Sequence, residues 1–274
     1  MRTPDTERVA NVVGLIPAAG HSQRLSPLPC SKEIYPVGFR TVEEGGRIRP
    51  KVACHYLLEK MQSAGIRKIY IVIRPGKWDI LAYLGDGAML KVHLAYLIMD
   101  LPFGPPYSMN QAYPFVRDSL VAFGFPDIIF QTSDAFSRLL ERQASTGADM
   151  VLGLFPIDPD RSDDRVDIDM EGRVRSITLG QTKSNSQYTW NIAVWTPAFT
   201  KFIHNHLAHL PANYDINKTR KNEPIPSELT VGAVIKDAFE KGLKVEGVSF
   251  PRDSCLDIGT PHDLVRAVKL YSDI

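Results

Sequence analysis

The sequence has little of several features that would place it in a special class of protein. Its 274 residues include only three cysteines, which are widely spaced and form neither a metal-binding pattern nor an even disulfide set. Such sparse cysteine is typical of a reducing compartment, and we therefore expect a cytoplasmic protein. No apolar run approaches the roughly 20 residues that a membrane-spanning helix needs, so the sequence predicts no membrane partner.

Charge of either sign is not in excess. The formal net charge is +1, so nothing points to nucleic acid or to a membrane surface as a partner. Residues 1–10 are polar and lack the apolar segment of a signal peptide, and we interpret them as a loose tail. The length fits a single domain over residues 11–274 and leaves a homo-oligomer open.

The common phosphate-binding motifs are also absent, because the chain has neither a Walker loop nor G-x-G-x-x-G. Instead, an apolar run over residues 12–16 ends in P-A-A-G, and Arg24 and Lys32 follow. The run predicts a buried strand. Small residues after it let a ligand approach the backbone, whose N–H groups can bind phosphate alongside two cations. The spacing fits an ordinary strand-to-helix turn with two solvated cations equally well.

Hydrophobic periodicity predicts an α/β fold in which a Rossmann-like, mostly parallel sheet carries helices on both faces. Buried or half-buried strands are predicted at 12–16, 69–73, 92–98, 120–125, 150–155, 187–196 and 243–250, with a hairpin over 166–178. Helices are predicted at 51–64, 80–84, 136–145, 199–210, 230–241 and 262–271, and a further one begins within 109–116. The sequence predicts a loop or small hairpin over residues 38–50 and a polar loop over residues 211–226.

The loop after the first strand resembles the signature of a known family. I-P-A-A-G-x-x-x-R-L, followed by K-E-I-Y-P, is similar to the G-x-G-T-R and K-x-x-x-P motifs of the sugar-1-phosphate nucleotidylyltransferases. Gly20 matches the first glycine, Arg24 the arginine, and Lys32 with Pro36 the second motif. Two differences stand out: Ser22 occupies the place of the second glycine, and the segment between the arginine and the lysine is shorter than usual.

The resemblance implies a nucleotidyltransferase fold of the GT-A-like type and a specific reaction. A nucleotidyl group would pass from a nucleoside triphosphate, with UTP or dTTP favoured, to a sugar-1-phosphate, and pyrophosphate would be released. Mg²⁺ would be the cofactor. Residues of about 11–154 would bind the nucleotide, and a less regular part, about 155–250, would bind the sugar.

The resemblance also implies roles for individual residues. Arg24 and Lys32 would be catalytic, stabilising the leaving pyrophosphate and the α-phosphate. Nucleotide would be bound by the loop residues and one glutamine: Ala18, Ala19, Gly20, His21, Ser22 and Gln111. Gln111 matches the family's G-L-A-Q-A segment only in Gln-Ala, and it equally fits a surface residue in the first turn of a helix. Its amide could pair with the imide edge of uracil or thymine.

Two aspartates are expected to bind the Mg²⁺. Asp127 matches the aspartate of the family's L-G-D-N-I-F motif, although Pro126 and Ile128 flank it here. Asp257 matches the closing D-x-G-T-P motif. Each follows a predicted strand, and because the carboxyl ends of parallel strands share one edge, we expect the two to converge there. Asp134 competes for the first role, but its setting favours the start of a helix.

The sugar side matches the family less well. The usual E-K-P motif is absent, and Lys183 is the nearest cation that could replace its lysine. Trp190 and Asn191 are candidates for the sugar pocket, while core packing explains Trp190 equally well.

Two other functions remain as alternatives. One is a catalytically silent relative that binds a nucleotide-sugar as a regulatory subunit; the retained Arg24, Lys32, Asp127 and Asp257 argue against it. The other is a glycosyltransferase, which normally needs a D-x-D motif. Two acidic pairs have that spacing formally, Asp158 with Asp160 and Asp167 with Asp169, although a solvated acidic loop explains both.

Overall fold

The computed structural model describes residues 12–42, 46–99, 103–157, 163–180, 186–208, 228–250 and 255–271. Its strands, in chain order, are β1 Val12–Pro17, β2 Pro36–Val42, β3 Arg47–Val52, β4 Lys68–Ile73, β5 His93–Ile98, β6 Leu120–Gly124, β7 Ile128–Ile129, β8 Met150–Pro156, β9 Arg165–Ile168, β10 Val174–Thr178, β11 Tyr188–Trp195, β12 Val245–Ser249 and β13 Leu256–Asp257. Its α-helices are α1 Ala53–Ser63, α2 Trp78–Leu84, α3 Pro105–Gln111, α4 Tyr113–Val116, α5 Ala135–Thr146, α6 Pro197–Leu207, α7 Val231–Glu240 and α8 Pro261–Tyr271.

The central sheet has nine strands in the order β10-β9-β11-β6-β1-β4-β5, while β8 pairs with β11 and β12 pairs with β8. β1 is parallel to both β4 and β6, β4 is parallel to β5, and β8 is parallel to β12. β11 is antiparallel to β6, β8 and β9, and β10 is antiparallel to β9. All strands of this sheet except β10 and β11 therefore run the same way, which confirms the predicted mostly parallel sheet.

Helices cover both faces of the sheet, as predicted. Successive side chains of β1 point to opposite sides, so that Val12 and Ile16 join one hydrophobic cluster and Val13 and Leu15 join another. Apolar residues of α1, α2 and α5 pack into the first cluster, and those of α3, α4, α6 and α7 pack into the second. Both faces are thereby removed from water, as the continuous apolar sequence of the parallel strands requires.

A smaller antiparallel pair lies beside the main sheet. β13 pairs with β7, with Leu256 opposite Ile129 and Asp257 opposite Ile128. A third cluster, which includes Ile129, Leu256 and Ala267, packs α8 against this pair and against the β2–β3 hairpin. The last helix thus fixes the chain segment that carries Asp257.

Most predicted elements are confirmed within a few residues, but one helix begins earlier than predicted. Gly104, with φ +106°, precedes a helix that begins at Pro105, four residues before the expected Met109. Proline suits the first helical turn because its missing N–H has no partner there. The predicted tail (1–10), the loop 211–226 and Lys183 lie outside the described residues.

No helix in the described ranges is both long and apolar enough to cross a membrane.

Candidate functional site

The loop that follows β1 lies at the carboxyl ends of the parallel strands. Ala18 is buried, and its N–H donates to the Val72 carbonyl at 2.7 Å, which ties the start of the loop to the end of β4. Ala19 is half-buried, whereas Gly20 and His21 are exposed. A Cβ built on Gly20 would meet no atom within 4 Å, so the space above this backbone is open to a ligand.

Ser22 stands where the resembled motif has its second glycine, and its backbone explains that preference. Its φ is +53°, in the left-handed region, which costs an L-residue about 1–2 kcal/mol. The Ser22 carbonyl accepts hydrogen bonds from the N–H groups of Leu25 and Ser26, at 3.0 and 3.1 Å. Serine therefore adopts the left-handed conformation at the start of a tight turn that contains Arg24.

Lys32 and Asp127 form an ion pair at this edge of the sheet. Lys32 opens a short 3-10 helix, Lys32–Ile34, and Asp127 follows β6 by three residues. The two side chains are 16% and 12% exposed, so the pair is largely shielded from water. Burial, the largest single influence, lowers the pKa of the Lys32 ammonium, but the carboxylates of Asp127, Glu33 and Asp257 together outweigh it, and the pKa is raised. Lys32 is thus held in its charged form.

Asp127 and Asp257 are brought together, although not in the way the sequence predicts. The Ile258 N–H donates to the Asp127 carbonyl at 3.0 Å, next to the Asp257–Ile128 pairing of β13 with β7. Both carboxylates, together with that of Glu33, act to raise the pKa of Lys32. The expected placement at the end of a main-sheet strand holds for Asp127 and is wrong for Asp257, which belongs to the separate antiparallel pair.

Arg24 extends from the first loop to the Asp257 segment. A Cβ on Gly259 would lie 2.8 Å from Arg24 Nη2 and 2.9 Å from Asp257 Oδ1, so the ends of both side chains come close to the Gly259 backbone and an added methyl group would displace them. The Gly259 N–H also donates to Asp257 Oδ1 at 2.8 Å. Arg24, Lys32, Asp127 and Asp257 therefore surround one region.

The donor set of this region suits a hard divalent cation. Among the described residues, no group of three or more His, Cys, Asp or Glu side chains is arranged to hold a metal. Mg²⁺ commonly takes one or two carboxylates and completes its shell with phosphate oxygens and water. Asp127 and Asp257 supply that number of hard oxygen ligands, so these residues fit Mg²⁺.

The helix expected to meet the nucleobase is placed differently from the prediction. Gln111 is the last residue of α3 and is exposed, so its predicted place in the first helical turn is wrong.

In the resembled family, the glutamine of G-L-A-Q-A lies three residues after the glycine that opens the helix. Here Gly104 opens α3, and Tyr107 occupies that position. Tyr107 is half-buried and its ring packs 5.1 Å from that of Phe103. The segment G-P-P could have indicated this helix start.

Trp190 and Asn191 lie at the same edge, because β11 begins where β6 ends. Trp190 is buried against Phe123 and Phe125, which agrees with the core-packing alternative, and its Nε1 donates to Asp164 Oδ2 at 3.4 Å. Asn191 is half-buried and falls at a shift in register between β11 and β8. Such bulges re-aim side chains and are frequent beside active sites.

The other acidic candidates have local structural roles. Asp167 accepts a hydrogen bond from Ser176 Oγ at 2.9 Å, and Asp169 pairs with Arg173 and Arg175, both at 2.8 Å. These contacts stabilise the β9–β10 hairpin and give no support to a D-x-D metal site. Asp158 and Asp160 lie outside the described residues. Asp134 caps the start of α5 by position, although its side chain makes no capping hydrogen bond.

Comparison with known proteins supports the fold. No protein-family profile matches the sequence, and no curated protein matches it. Among solved structures, the chain is similar to a Bacillus anthracis protein assigned as a glucose-1-phosphate thymidylyltransferase and crystallised in complex with sucrose. The match has a TM-score of 0.76, covers 96% of each chain, and has 19% sequence identity. The chain therefore has the mixed α/β fold of that structure.

Proposed function

We propose that this chain transfers a nucleotidyl group from a nucleoside triphosphate to a sugar-1-phosphate and releases pyrophosphate. The observation that carries the proposal is the convergence of Arg24, Lys32, Asp127 and Asp257 on one region beside the open loop at Gly20. Two cations and two carboxylates suit a reaction between two phosphate-bearing substrates. The motif resemblance and the likeness of fold support the same reaction.

In this reaction a phosphate oxygen of the sugar-1-phosphate attacks the α-phosphorus, and the bond from that phosphorus to the pyrophosphate oxygen breaks. The protein mainly positions the two phosphates and neutralises their charge. Arg24, an exposed residue whose guanidinium reaches the Asp257 segment, would stabilise the leaving pyrophosphate. Lys32 would bind near the α-phosphate, and its pairing with Asp127 keeps it charged before substrate arrives.

Asp127 and Asp257 would hold Mg²⁺. When bound, that ion neutralises charge on the phosphate oxygens. The ion pair with Lys32 and the N–H of Gly259 keep the two carboxylates oriented at the site.

The residues around the site would determine which base and which sugar are bound. UTP or dTTP is the favoured triphosphate, read at the imide edge of the base by Gln111 or by Tyr107, whose hydroxyl can both donate and accept a hydrogen bond. The sugar would bind toward residues 155–250, with Asn191, Trp190 and Lys183 as candidate contacts. The nucleotide would bind within residues 11–154.

A catalytically silent, nucleotide-sugar-binding subunit is the second candidate. The observations that favour it are the left-handed backbone of Ser22 and the absence of E-K-P. The test is to incubate the protein and Mg²⁺ with a panel of triphosphates and sugar-1-phosphates and to measure pyrophosphate. The transferase releases pyrophosphate with at least one pair. The silent subunit binds nucleotide-sugar but releases none, and a glycosyltransferase instead consumes nucleotide-sugar in the presence of an acceptor.

A further inference from the structure

We infer that four residues form a clamp that positions Lys32 for catalysis: Ser31, Glu33, Lys77 and Asp79. This inference rests on the proposed function. Ser31 and Glu33 are the two chain neighbours of Lys32. Ser31 is bound by Asp79 in the first turn of α2, and Glu33 is bound by Lys77, the residue just before that helix. Lys32 itself, between them, forms its ion pair with Asp127.

The first half of the clamp is a pair of hydrogen bonds to one carboxylate. The Ser31 N–H donates to Asp79 Oδ2 at 2.7 Å, and the Ser31 hydroxyl donates to Asp79 Oδ1 at 2.8 Å. Hydrogen bonds to a charged acceptor are stronger than neutral ones, and two of them fix orientation as well as distance. Because Asp79 lies in the first turn of α2, the segment before Lys32 is anchored to a helix packed on the sheet.

The second half is a buried ion pair. Lys77 Nζ lies 2.6 Å from Glu33 Oε1, and the two side chains are 4% and 2% exposed. Burial raises the pKa of Glu33 and lowers that of Lys77 despite the pairing, which shows how costly it is to remove these charges from water. Glu33 Oε2 is also buried without a hydrogen-bond partner in the described part of the chain. Such a pair contributes little net stability, so a role in fixing one geometry explains it better.

Together the two contacts fix the backbone on both sides of Lys32. A three-residue 3-10 helix has little structure of its own to hold a side chain in place. Displacing a catalytic group by about 1 Å can cost about 100-fold in rate, so an anchor on each side matters for the ammonium at the α-phosphate. Ser31, Glu33, Lys77 and Asp79 act through Lys32 and are positioning residues.

The test is a double-mutant cycle on pyrophosphate release with the best substrate pair. Asp79→Ala and Glu33→Gln should each lower kcat about tenfold or more, while the KM for triphosphate changes less than about threefold. In the Lys32→Ala background, the same two changes should alter the residual kcat less than about twofold, because the group they position is gone.

Two matched variants control for lost structure. Asp86→Ala removes a carboxylate that accepts a backbone N–H at 2.9 Å at the other end of α2. Glu246→Gln alters a buried carboxylate paired with Arg142 at 2.6 Å, away from the site. Both should keep wild-type kcat. Folding of every variant is monitored by thermal melts. If a clamp variant does not fold, Ser31→Ala, which removes only one hydroxyl group, is used in its place.

Wild-type kcat in the folded clamp variants, or an equal loss of kcat with and without Lys32, overturns the clamp and leaves the proposed function intact. A wild-type protein that releases no pyrophosphate with any substrate pair overturns the proposed function, and the clamp with it.

Discussion

Asp257 lies directly opposite Ile128 in the β13–β7 pairing, and Ile128 is the residue that follows Asp127 in the chain. Two segments that are far apart in the sequence are thereby joined backbone to backbone. The pairing, and not a shared row of parallel strand ends, places the backbones of the two aspartates next to each other.

The first prediction concerns these two aspartates. Asp127→Asn and Asp257→Asn keep the shape of each side chain but remove its charge, so each should lose most turnover while the protein remains folded. The double variant should lose little more than the worse single variant, because both residues serve one ion. The measurement is kcat as a function of Mg²⁺ concentration. Full activity in either single variant, or in the wild type with excess chelator, contradicts a shared metal site.

The second prediction concerns the open space at Gly20. Since a Cβ there meets no protein atom within 4 Å, Gly20→Ala should leave the melting temperature unchanged or slightly raised. A phosphate that approaches the loop backbone would meet the added methyl group, so the KM for triphosphate should rise. Gly147→Ala, in an equally open but left-handed turn after α5, is the contrasting variant. It should lower the melting temperature and leave KM unchanged. An unchanged KM in folded Gly20→Ala argues against phosphate at this loop.

The third prediction concerns the base. Its direct measurement is the ratio of kcat/KM for UTP or dTTP to that for ATP and GTP, and the pyrimidine triphosphates should be preferred. Tyr107→Phe removes only the hydroxyl and should reduce this ratio, whereas Gln111→Ala should reduce it less, because Gln111 is exposed at the far end of α3. A preference for ATP or GTP in the wild type contradicts pyrimidine recognition. If Gln111→Ala reduces the ratio more than Tyr107→Phe does, Gln111 is the residue that binds the base, as the sequence predicts.

The fourth prediction concerns stability in acid. His55 is buried on α1 and stacks on Tyr83 at 5.6 Å, and neither ring nitrogen has a hydrogen-bond partner in the described ranges. Burial, with smaller contributions from Arg40 and Lys51, lowers its pKa to about 3. The unfolded chain therefore binds this proton first, near pH 6.5, so the stability associated with neutral His55 is lost as pH falls from about 6.5 toward 3.

The slope from this one group is up to about 1.4 kcal/mol per pH unit. His55→Phe should flatten the decline in the free energy of unfolding over that window, as measured by urea titration at several pH values. His93→Gln, at an exposed histidine of β5, should leave the decline unchanged. The same slope in His55→Phe and wild type contradicts the assignment.

Local patterns predict the fold well because they report burial directly. The apolar run of β1 and the helical spacing of α1 each reflect what the sheet and its covering helices must bury. Contacts between distant segments leave no such pattern. Nothing in the spacing of Lys32 and Asp127, or of Ser31 and Asp79, indicates that these pairs meet. Gln111 was misplaced because the start of α3 depends on the positive φ of Gly104 and not on periodicity. The roles of the site residues remain predictions.

The most direct test of the proposed activity compares pyrophosphate release by the wild type and by Arg24→Ala with the same triphosphate, sugar-1-phosphate and Mg²⁺. Arg24 is exposed, so its removal should not disturb folding, and Arg67→Ala, at a second exposed arginine, is the control. We expect release by the wild type and by Arg67→Ala, and a loss in kcat/KM for Arg24→Ala equivalent to about 2–4 kcal/mol. No release by the wild type with any substrate pair, or equal kcat/KM in Arg24→Ala, would contradict the account.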